Sequence, residues 1–280
     1  MMKQFKVGIQ LYGVRDTMAQ DFEGTLQKIK DMGYEYVEFA GYYGRTGEEI
    51  KAILDKIGLK CISVHQGLDF FNENPEEKVA FLKAFGVKYV VVPWYDQKKL
   101  AGSEQWEETK ALFNRIADLL KANGMWLGYH NHEFEFEKFE GKYLHDYIFE
   151  AVPADRIQPE LDTCWVHYAG INPVDKIKEF SGRVDLLHLK DFTCKELGSG
   201  PVYDLIGADG KPMKKPTREE NAFEFRPLGQ GRQNFAEILA AAEEAGVEVV
   251  IVEQDKTYNG MTELEAAKIS RDYLRDTFGL

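Results

Sequence analysis

The sequence predicts a single-domain α/β protein of the (β/α)8 TIM-barrel class, and three observations support this prediction. The chain has 280 residues, somewhat more than a typical barrel of this class, and 44% of them are hydrophobic. Short apolar runs alternate with amphipathic helical segments eight times. No GxGxxG motif follows the first apolar run, which argues against a doubly wound dinucleotide-binding sheet. We therefore expect one barrel over residues 1–280.

The predicted strands are short and rich in Val, Ile, Leu and Tyr, without strict alternation of polar and apolar residues. This pattern is typical of parallel strands that helices cover. In chain order, the strand candidates are KVGIQLYG, YEYVEF, KCISVH, KYVVVP, MWLGYH, RIQPELD, VDLLHL and VEVVIVE. The helical segments between and after them include FEGTLQKIKDM, GEEIKAILDKI, EEKVAFLKAF, WEETKALFNRIADLLKA, NFAEILAAAEEA and MTELEAAKISRDYLRDTF.

A glycine separates each of six predicted helices from the strand that follows it. At this position a helix commonly ends in the left-handed conformation, which glycine adopts without steric cost. The six residues are Gly33, Gly58, Gly86, Gly124, Gly182 and Gly246. Their recurrence supports a repeated helix–strand connection.

The segment 192–233 interrupts the repeat, because it is too long for an ordinary strand–helix connection. Loops of this length inside a compact domain are usually functional or disordered. Since the segment follows the seventh strand, we interpret it as a substrate-covering or subunit-contacting loop, with a tolerated insertion as the alternative. Its basic residues either meet a substrate phosphate or form an exposed loop, so a phosphorylated and an unphosphorylated substrate both remain open. These residues are Lys211, Lys214, Lys215 and Arg218.

The net charge of −12 argues against nucleic acid and anionic membranes as partners, because a surface of this sign repels phosphate groups. No apolar segment approaches the ~20 residues that span a bilayer, and no signal peptide is recognisable at the N-terminus. Three cysteines without CxxC spacing are expected to be free thiols. We therefore expect a cytoplasmic protein. Serine-nucleophile and phosphate-loop motifs are absent from the sequence.

Polar and ionisable residues end seven of the eight predicted strands. Catalytic groups of barrel enzymes come from these strand ends, and charged side chains are rarely buried unless they are paired or coordinated. The residues are Gln10, Glu38, His65, His130, His132, Glu160, Asp162, His188, Lys190, Glu253 and Asp255. Their positions predict a functional site at the C-terminal end of the barrel.

Four of these strands carry two such residues spaced two apart, which places both on the same face. If one residue of each strand shares a layer, the strands provide a His/Asp/His/Glu donor set for one divalent metal. Such mixed nitrogen and oxygen ligands suit Mn²⁺, Zn²⁺, Co²⁺ or Fe²⁺ better than Ca²⁺, and Mg²⁺ is kept as a further candidate. The predicted ligands are His130, Asp162, His188 and Glu253.

Structural roles are the alternative for each residue. A single strand histidine is more often a hydrogen-bonded residue than a ligand, and Asp162 is also placed to cap a following helix. Glu38 and His65 fit substrate hydroxyl binding and structural hydrogen bonding equally well. Trp94 and Trp165 fit either the floor of a sugar pocket or barrel packing. The joint occurrence of the four donor residues at strand ends favours the metal site.

The sequence resembles the xylose isomerase-like TIM-barrel superfamily, which includes sugar phosphate isomerases and epimerases, inosose dehydratases and ketohexose 3-epimerases. The resemblance covers essentially the whole chain. It is carried by VEFAG, SVHQGL, GYHNHEFEF, ELDTCWVHYAG, LLHLKDF, PLGQGRQNF and VIVEQD. It implies a sugar, keto-sugar or cyclitol as substrate and a homo-oligomer of two or four chains.

The resemblance also implies one divalent metal held at the ends of strands 5 to 8, by His130, Asp162, His188 and Glu253. The usual strand-5 ligand of epimerases is a glutamate that also shuttles a proton, whereas this chain has a histidine there. His132 matches the general base of dehydratase relatives. The superfamily also includes DNA-cleaving endonucleases, which carry additional histidine ligands for three metals. Trp165 replaces one of these histidines, which argues against nuclease activity.

Two reactions fit this site, and the first of them is our primary hypothesis. In a sugar isomerase or epimerase, the metal would polarise a carbonyl while His132, Glu160 or Glu253 abstracts the neighbouring proton. Lys190 would stabilise the enediolate that forms. In a lyase, the same intermediate would expel a β-hydroxyl or glycosyl group, and the histidine on strand 5 slightly favours this alternative. A non-catalytic sugar-binding barrel is a third, less favoured hypothesis.

Overall fold

The structure is a computed structural model that describes residues 4–198 and 219–280. Eight parallel strands close into a barrel in which each strand pairs with the next along the chain and the last pairs with the first. This confirms the predicted (β/α)8 fold. The barrel strands are β1 Lys6–Gln10, β2 Tyr36–Phe39, β3 Lys60–His65, β4 Tyr89–Val92, β5 Trp126–His130, β6 Ile157–Asp162, β7 Leu186–Leu189 and β8 Val249–Val252.

Helices follow every barrel strand. They are α1 Arg15–Gln20, α2 Phe22–Asp31, α3 Gly47–Ile57, α4 Pro75–Ala84, α5 Trp106–Ala122, α6 Leu144–Ala151, α7 Thr163–Tyr168, α8 Pro173–Glu179, α9 Phe235–Ala245 and α10 Glu263–Phe278. The six glycines predicted to end helices all have positive φ. Gly58 and Gly246, for example, end α3 and α9 in the left-handed conformation.

Two apolar clusters determine where polar chemistry is possible. The larger cluster lies between the strands and the helices and includes Leu26, Ile29 and Val37. The smaller cluster includes the first residues of three strands, Tyr89, Leu186 and Val249. Because apolar side chains fill the barrel at this end, its buried polar residues concentrate at the C-terminal strand ends.

The segment after β7 begins and ends in a two-stranded antiparallel sheet, in which Asp191–Thr193 pairs with Glu224–Arg226. Phe192, Phe223 and Phe225 of this sheet pack with Trp165 and Tyr168 of α7. The segment is therefore packed onto the barrel at both of its ends. The basic residues that we considered for phosphate binding, Lys211, Lys214, Lys215 and Arg218, lie outside the described residues.

Two further features concern the cysteines and the character of the helices. Cys61, Cys164 and Cys194 are free thiols, as expected, and the first two are buried. Across residues 4–198 and 219–280, none of the helices combines the length and the apolar character needed to cross a membrane.

Candidate active site

The barrel register brings the polar strand ends together. His130 on β5 pairs with Glu160 on β6, and Asp162 on β6 pairs with His188 on β7. Gly128, two residues before His130, has no room for a side chain, since an added Cβ would lie 2.8 Å from Cγ2 of Val91. The absence of a side chain there lets β4 and β5 approach closely beneath the histidine.

The four predicted metal ligands form one cluster, which we call the outer donor set: His130, Asp162, His188 and Glu253. One donor atom of each lies within 4.8 Å of the other three. Nε2 of His130 is 3.6 Å from Oδ2 of Asp162, and Nδ1 of His188 is 2.8 Å from Oε2 of Glu253. All four side chains are buried. Two imidazoles and two carboxylates at this spacing fit a divalent transition metal.

Deeper in the barrel lies a second group, the inner carboxylate layer: Gln10, Glu38, His65 and Glu160. Oε2 of Glu160 is 2.7 Å from Nε2 of His65, and it is 3.2 Å from both Nδ1 of His130 and Nε2 of His188. Oε1 of Glu38 accepts a hydrogen bond from Gln10 at 2.6 Å and lies 2.9 Å from Nε2 of His188. Both glutamates are fully buried.

Two oxygens of this layer have no hydrogen-bond partner among the described residues, namely Oε2 of Glu38 and Oε1 of Glu160. The layer also contains an alternative donor set, because ligand atoms of His65, His130, Glu160 and His188 lie within 4.8 Å of one another. The described residues thus provide two overlapping donor sets that share His130 and His188.

Charge balance within the cluster shifts the pKa values of its members. Burial opposes the charge on His188, but the surrounding carboxylates raise its pKa well above the ordinary value. Burial raises the pKa of Glu38, and the neighbouring Glu160 raises it further. For Glu160, the imidazoles around it outweigh burial and hold the pKa well below the ordinary value. Glu160 is therefore a buried anion that imidazoles stabilise.

Lys190 lies among carboxylates at the mouth of the barrel. Its Nζ is 3.0 Å from Asp162, 2.8 Å from Glu253 and 3.0 Å from Asp255. Burial opposes its charge, yet these carboxylates raise the pKa of Lys190 well above the ordinary value. Burial also raises the pKa of Asp162 to about 6, with Glu253 adding to the effect and Lys190 opposing it. Three carboxylates around one ammonium group leave negative charge that suits a further cation.

Asp162 caps α7 with one carboxylate oxygen and faces the donor set with the other. Its Oδ1 accepts hydrogen bonds from the backbone N–H of Cys164 at 2.7 Å and of Trp165 at 3.3 Å, which caps α7. Its Oδ2 faces Lys190 and His130. Helix capping and membership of the donor set are therefore compatible, because they use different oxygens.

His132 lies just beyond β5 and is partly exposed. Its ring centroid is 5.3 Å from that of His130 and 5.6 Å from that of Trp165. Burial of the ring, followed by the nearby His130 and Lys190, holds the pKa of His132 well below the ordinary value. The imidazole is therefore neutral at pH 7 and can accept a proton.

Two residues that we did not predict support the turn after β5. The backbone N–H of His132 donates to Oε2 of Glu135 at 2.8 Å, and the hydroxyl of Tyr129 donates to Oε1 at 2.8 Å. Glu135 is fully buried, and burial raises its pKa to about 8.

Asp255, to which we assigned no role beyond its place at a strand end, also joins the site through Lys190. Its signal was the two-residue spacing from Glu253.

The four predicted substrate-binding residues lie at different depths. Trp94 is 53% exposed after β4, whereas Trp165 is fully buried and stacks on Phe223 with a centroid separation of 5.5 Å. Glu38 and His65 belong to the inner carboxylate layer, where they contact each other at 3.1 Å. The geometry of Glu38 favours structural hydrogen bonding, and substrate contact at the other three residues stays a prediction.

Comparison with known proteins identifies proteins that are similar to this chain in sequence and in fold. The chain is 24% identical over 283 residues to an inosose dehydratase of Geobacillus thermodenitrificans, which covers 92% of this chain and 90% of the relative. A sugar phosphate isomerase/epimerase from Parabacteroides distasonis shares the fold with a TM-score of 0.76 at 23% identity, covering 99% of this chain and 96% of that one. The IOLI protein with a bound zinc atom has a TM-score of 0.68 at 18% identity, covering 97% of both chains.

These likenesses extend along nearly the whole chain. The two structural likenesses show the fold alone, since both lie below 25% identity. A model of a protein family, described as xylose isomerase-like TIM barrel, matches residues 26–277. The chain therefore belongs to the xylose isomerase-like TIM barrel family.

Proposed function

We propose that the protein is a divalent-metal-dependent lyase that acts on a keto-sugar or keto-cyclitol. It would remove the proton next to the carbonyl and expel a β-hydroxyl or glycosyl group. One observation carries the proposal: a single neutral imidazole, His132, lies beside the outer donor set and Lys190. The inosose dehydratase relatives, whose name describes loss of water from a cyclitol ketone, support it.

The outer donor set fits a divalent ion in its chemistry and spacing. When bound there, the ion would supply Lewis-acid polarisation of the substrate carbonyl. The two imidazoles favour Zn²⁺, Mn²⁺, Co²⁺ or Fe²⁺ over ions that prefer only oxygen, and Mg²⁺ is the weakest candidate. The IOLI protein, which has the same fold, binds a zinc atom, and this supports the proposal of a bound metal.

His132 and Lys190 would handle the proton and the charge. The imidazole of His132 is unprotonated at pH 7 and so can remove a proton, and its conjugate acid can later return that proton. The ammonium group of Lys190 would face the negative charge that develops on the substrate oxygen. Trp165 forms the wall beside both groups, with Nζ of Lys190 5.1 Å from its ring centroid.

The position of Glu160 favours elimination over epimerisation. Returning a proton to the opposite face of the substrate requires a second acid–base group, and Glu160 is one of the three residues that we considered for proton abstraction. In the structure, Glu160 is fully buried and three imidazoles contact its Oε2. A carboxylate enclosed in this way holds neighbouring side chains in position and is not free to donate a proton to a substrate. Elimination needs only one base and a leaving group, so it does not require Glu160.

An isomerase or epimerase is the second candidate, and Asp255 is the observation that favours it. This carboxyl group follows β8 and contacts Lys190 at 3.0 Å, with a side-chain exposure of 20%. Burial raises its pKa above the ordinary value, so it can carry a proton more readily than a surface aspartate. Asp255 could thus act as the second acid–base group, beside Lys190. The isomerase/epimerase name of the Parabacteroides neighbour agrees with this candidate.

The test is a reaction in D₂O with a panel of inososes and keto-glycosides, using protein loaded separately with Zn²⁺, Mn²⁺, Co²⁺, Fe²⁺ or Mg²⁺. A lyase releases water or an alcohol, which mass spectrometry detects as a lighter product. An isomerase or epimerase conserves the substrate skeleton and incorporates deuterium. Metal-free protein is the control. Deuterium incorporation without loss of mass would overturn the lyase proposal, and neither change with any metal would overturn both candidates.

A further inference from the structure

We propose that the inner carboxylate layer is a positioning device that selects the metal-binding nitrogen of each histidine ligand. In this proposal, His130 binds through Nε2 and His188 binds through Nδ1. The inference rests on the metal site of the proposed function and deepens it. It assigns Gln10, Glu38 and Glu160 a purpose that differs from substrate binding or proton transfer.

The assignment for His130 follows from its two neighbours. A neutral imidazole has one N–H donor and one nitrogen with a free lone pair. Nδ1 of His130 lies 3.2 Å from Oε2 of Glu160, a buried carboxylate that only accepts hydrogen bonds. The hydrogen therefore belongs on Nδ1. Nε2, which is 3.6 Å from Oδ2 of Asp162, keeps its lone pair for the metal.

His188 is held in the opposite sense. Its Nε2 lies 2.9 Å from Oε1 of Glu38 and 3.2 Å from Oε2 of Glu160, so this nitrogen donates into the inner layer. Its Nδ1 lies 2.8 Å from Glu253 of the outer donor set. Metal-bound histidines commonly donate the other ring N–H to a carboxylate, which fixes both tautomer and ring orientation.

The layer is itself fixed to the barrel backbone. Oε1 of Gln10 accepts a hydrogen bond from the backbone N–H of Tyr12 at 2.9 Å, so the amide nitrogen must point at Glu38. On the other side, His65 donates to Glu160, and its ring lies parallel to that of His188 with centroids 5.4 Å apart. A continuous set of contacts therefore connects β1 to the ring of His188.

The alternative donor set makes the proposal testable. A metal bound by His65, His130, Glu160 and His188 would use three imidazoles. It would also need Nδ1 of His130 and Nε2 of His188, because those nitrogens face Glu160. The outer position is favoured because three carboxylates surround Lys190 there. In the inner layer, imidazole and amide N–H groups already contact one oxygen of each glutamate.

Nuclear magnetic resonance can distinguish the two positions directly. The protein has six histidines, so ¹⁵N-histidine labelling gives a small set of ring signals. With ¹¹³Cd²⁺ as the probe, metal–nitrogen couplings identify each bonded nitrogen. We expect two coupled rings, His130 through Nε2 and His188 through Nδ1. A third coupled ring from His65, or coupling through the opposite nitrogens, would overturn this inference while leaving a metal site. Protein that binds neither Cd²⁺ nor Zn²⁺ would overturn the proposed function as well.

Substitutions provide an independent test through Zn²⁺ affinity, measured by competition with a chelator. Glu160→Gln should lower the affinity about 10–100-fold, the usual effect of losing an outer hydrogen-bond partner of a ligand. Asp146→Asn is the matched control, because it alters a carboxylate that pairs with Lys176 outside the barrel. It should leave Zn²⁺ affinity unchanged.

Gln10→Leu covers the case in which Glu160→Gln fails to fold. This change removes the 2.6 Å hydrogen bond to Glu38 without altering a group that touches either histidine. It should lower Zn²⁺ affinity by a smaller factor than Glu160→Gln does. The melting temperature of the metal-free variant shows whether it folds. Wild-type affinity in folded Gln10→Leu protein, with wild-type nitrogen couplings, would contradict a role of the layer in metal binding.

Discussion

Lys190 and Glu253 form a buried ion pair, with Nζ 2.8 Å from Oε2. The two residues are 1% and 5% exposed. Because an unpaired buried charge is costly, each group keeps the other ionised. The same oxygen of Glu253 lies 2.8 Å from Nδ1 of His188. Glu253 therefore links the ammonium group at the mouth of the barrel to a predicted metal ligand.

Asp162→Asn should separate the two roles of Asp162. The side-chain oxygen of Asn can still accept the hydrogen bonds that cap α7, so we expect the variant to fold. Its amide nitrogen would then face Lys190, and the negative charge for the metal is lost. Since a bound metal provides several kcal/mol of stabilisation to the reaction, activity should fall by about 100-fold or more. Elemental analysis should show reduced metal content.

The control for this variant is Asp175→Asn, which alters an exposed aspartate in the first turn of α8. It should keep wild-type metal content and activity. If Asp162→Asn also kept both, Asp162 would be a helix cap without a part in metal binding.

His132→Gln should lower kcat by about 10²–10⁴-fold, the usual contribution of a general base. Metal content should be unchanged, because His132 lies outside the outer donor set. The measurement combines product formation with deuterium incorporation, and both should fall together if His132 removes the proton. Deuterium incorporation at the wild-type rate would assign proton removal to another group, such as Asp255.

The sequence predicted the barrel because its signals are local. Helix-ending glycines and apolar runs can be recognised within a few residues, and Gly58 and Gly246 end helices as expected. The members of the outer donor set could also be predicted, because side chains two residues apart along a strand point to the same face. His130 and Asp162 were selected in this way, and in the structure Nε2 of His130 lies 3.6 Å from Oδ2 of Asp162.

Depth within the barrel could not be predicted, because it depends on register between strands. The pairing of β2 with β3 shifts between Val37 and Glu38, so that Val37 pairs with Cys61 and Glu38 with Ser63. Period counting along one strand cannot reveal such a shift. The contact between Glu38 and His188 also joins residues 150 positions apart. The inner carboxylate layer therefore appears only in the folded chain.

Asp191→Asn should loosen the segment after β7. The carboxylate of Asp191 accepts four backbone hydrogen bonds, from Phe192 and Gln233 to Oδ1 and from Gly229 and Gly231 to Oδ2, at 2.9–3.1 Å. An amide nitrogen would oppose two of these donors. We expect the free energy of unfolding to fall by roughly 2–4 kcal/mol. Urea denaturation of metal-free protein measures this change.

The exposed Asp175→Asn again serves as the comparison, with an expected change within about 0.5 kcal/mol. Close approach of the loop explains why Asp191 can collect so many donors, since an added Cβ at Gly231 would lie 2.1 Å from Oδ1. Equal stability of the two variants would show that the four hydrogen bonds do not hold the segment in place.

His145→Leu should reduce the sensitivity of the fold to acid. His145 is fully buried, with its ring centroid 4.8 Å from that of Phe149 and 5.1 Å from that of Phe136. Burial lowers its pKa from 6.5 to about 4. Because the folded pKa is depressed, the unfolded chain binds the proton more readily. The stability contributed by the neutral ring is therefore complete above pH 6.5 and is lost as the pH falls towards 4.

The full loss corresponds to about 3 kcal/mol for His145. The neighbouring Asp146 titrates at lower pH: burial raises its pKa, but the nearby ring of His145 and the hydrogen bond from Lys176 outweigh burial and lower the pKa to about 2. Urea denaturation of metal-free wild-type and His145→Leu protein between pH 7 and 4 isolates the contribution of His145, because all other titrating groups are common to both. The difference in stability should shift in favour of the leucine variant as the pH falls. Parallel stability curves would mean that His145 is protonated in the folded state as readily as in the unfolded chain.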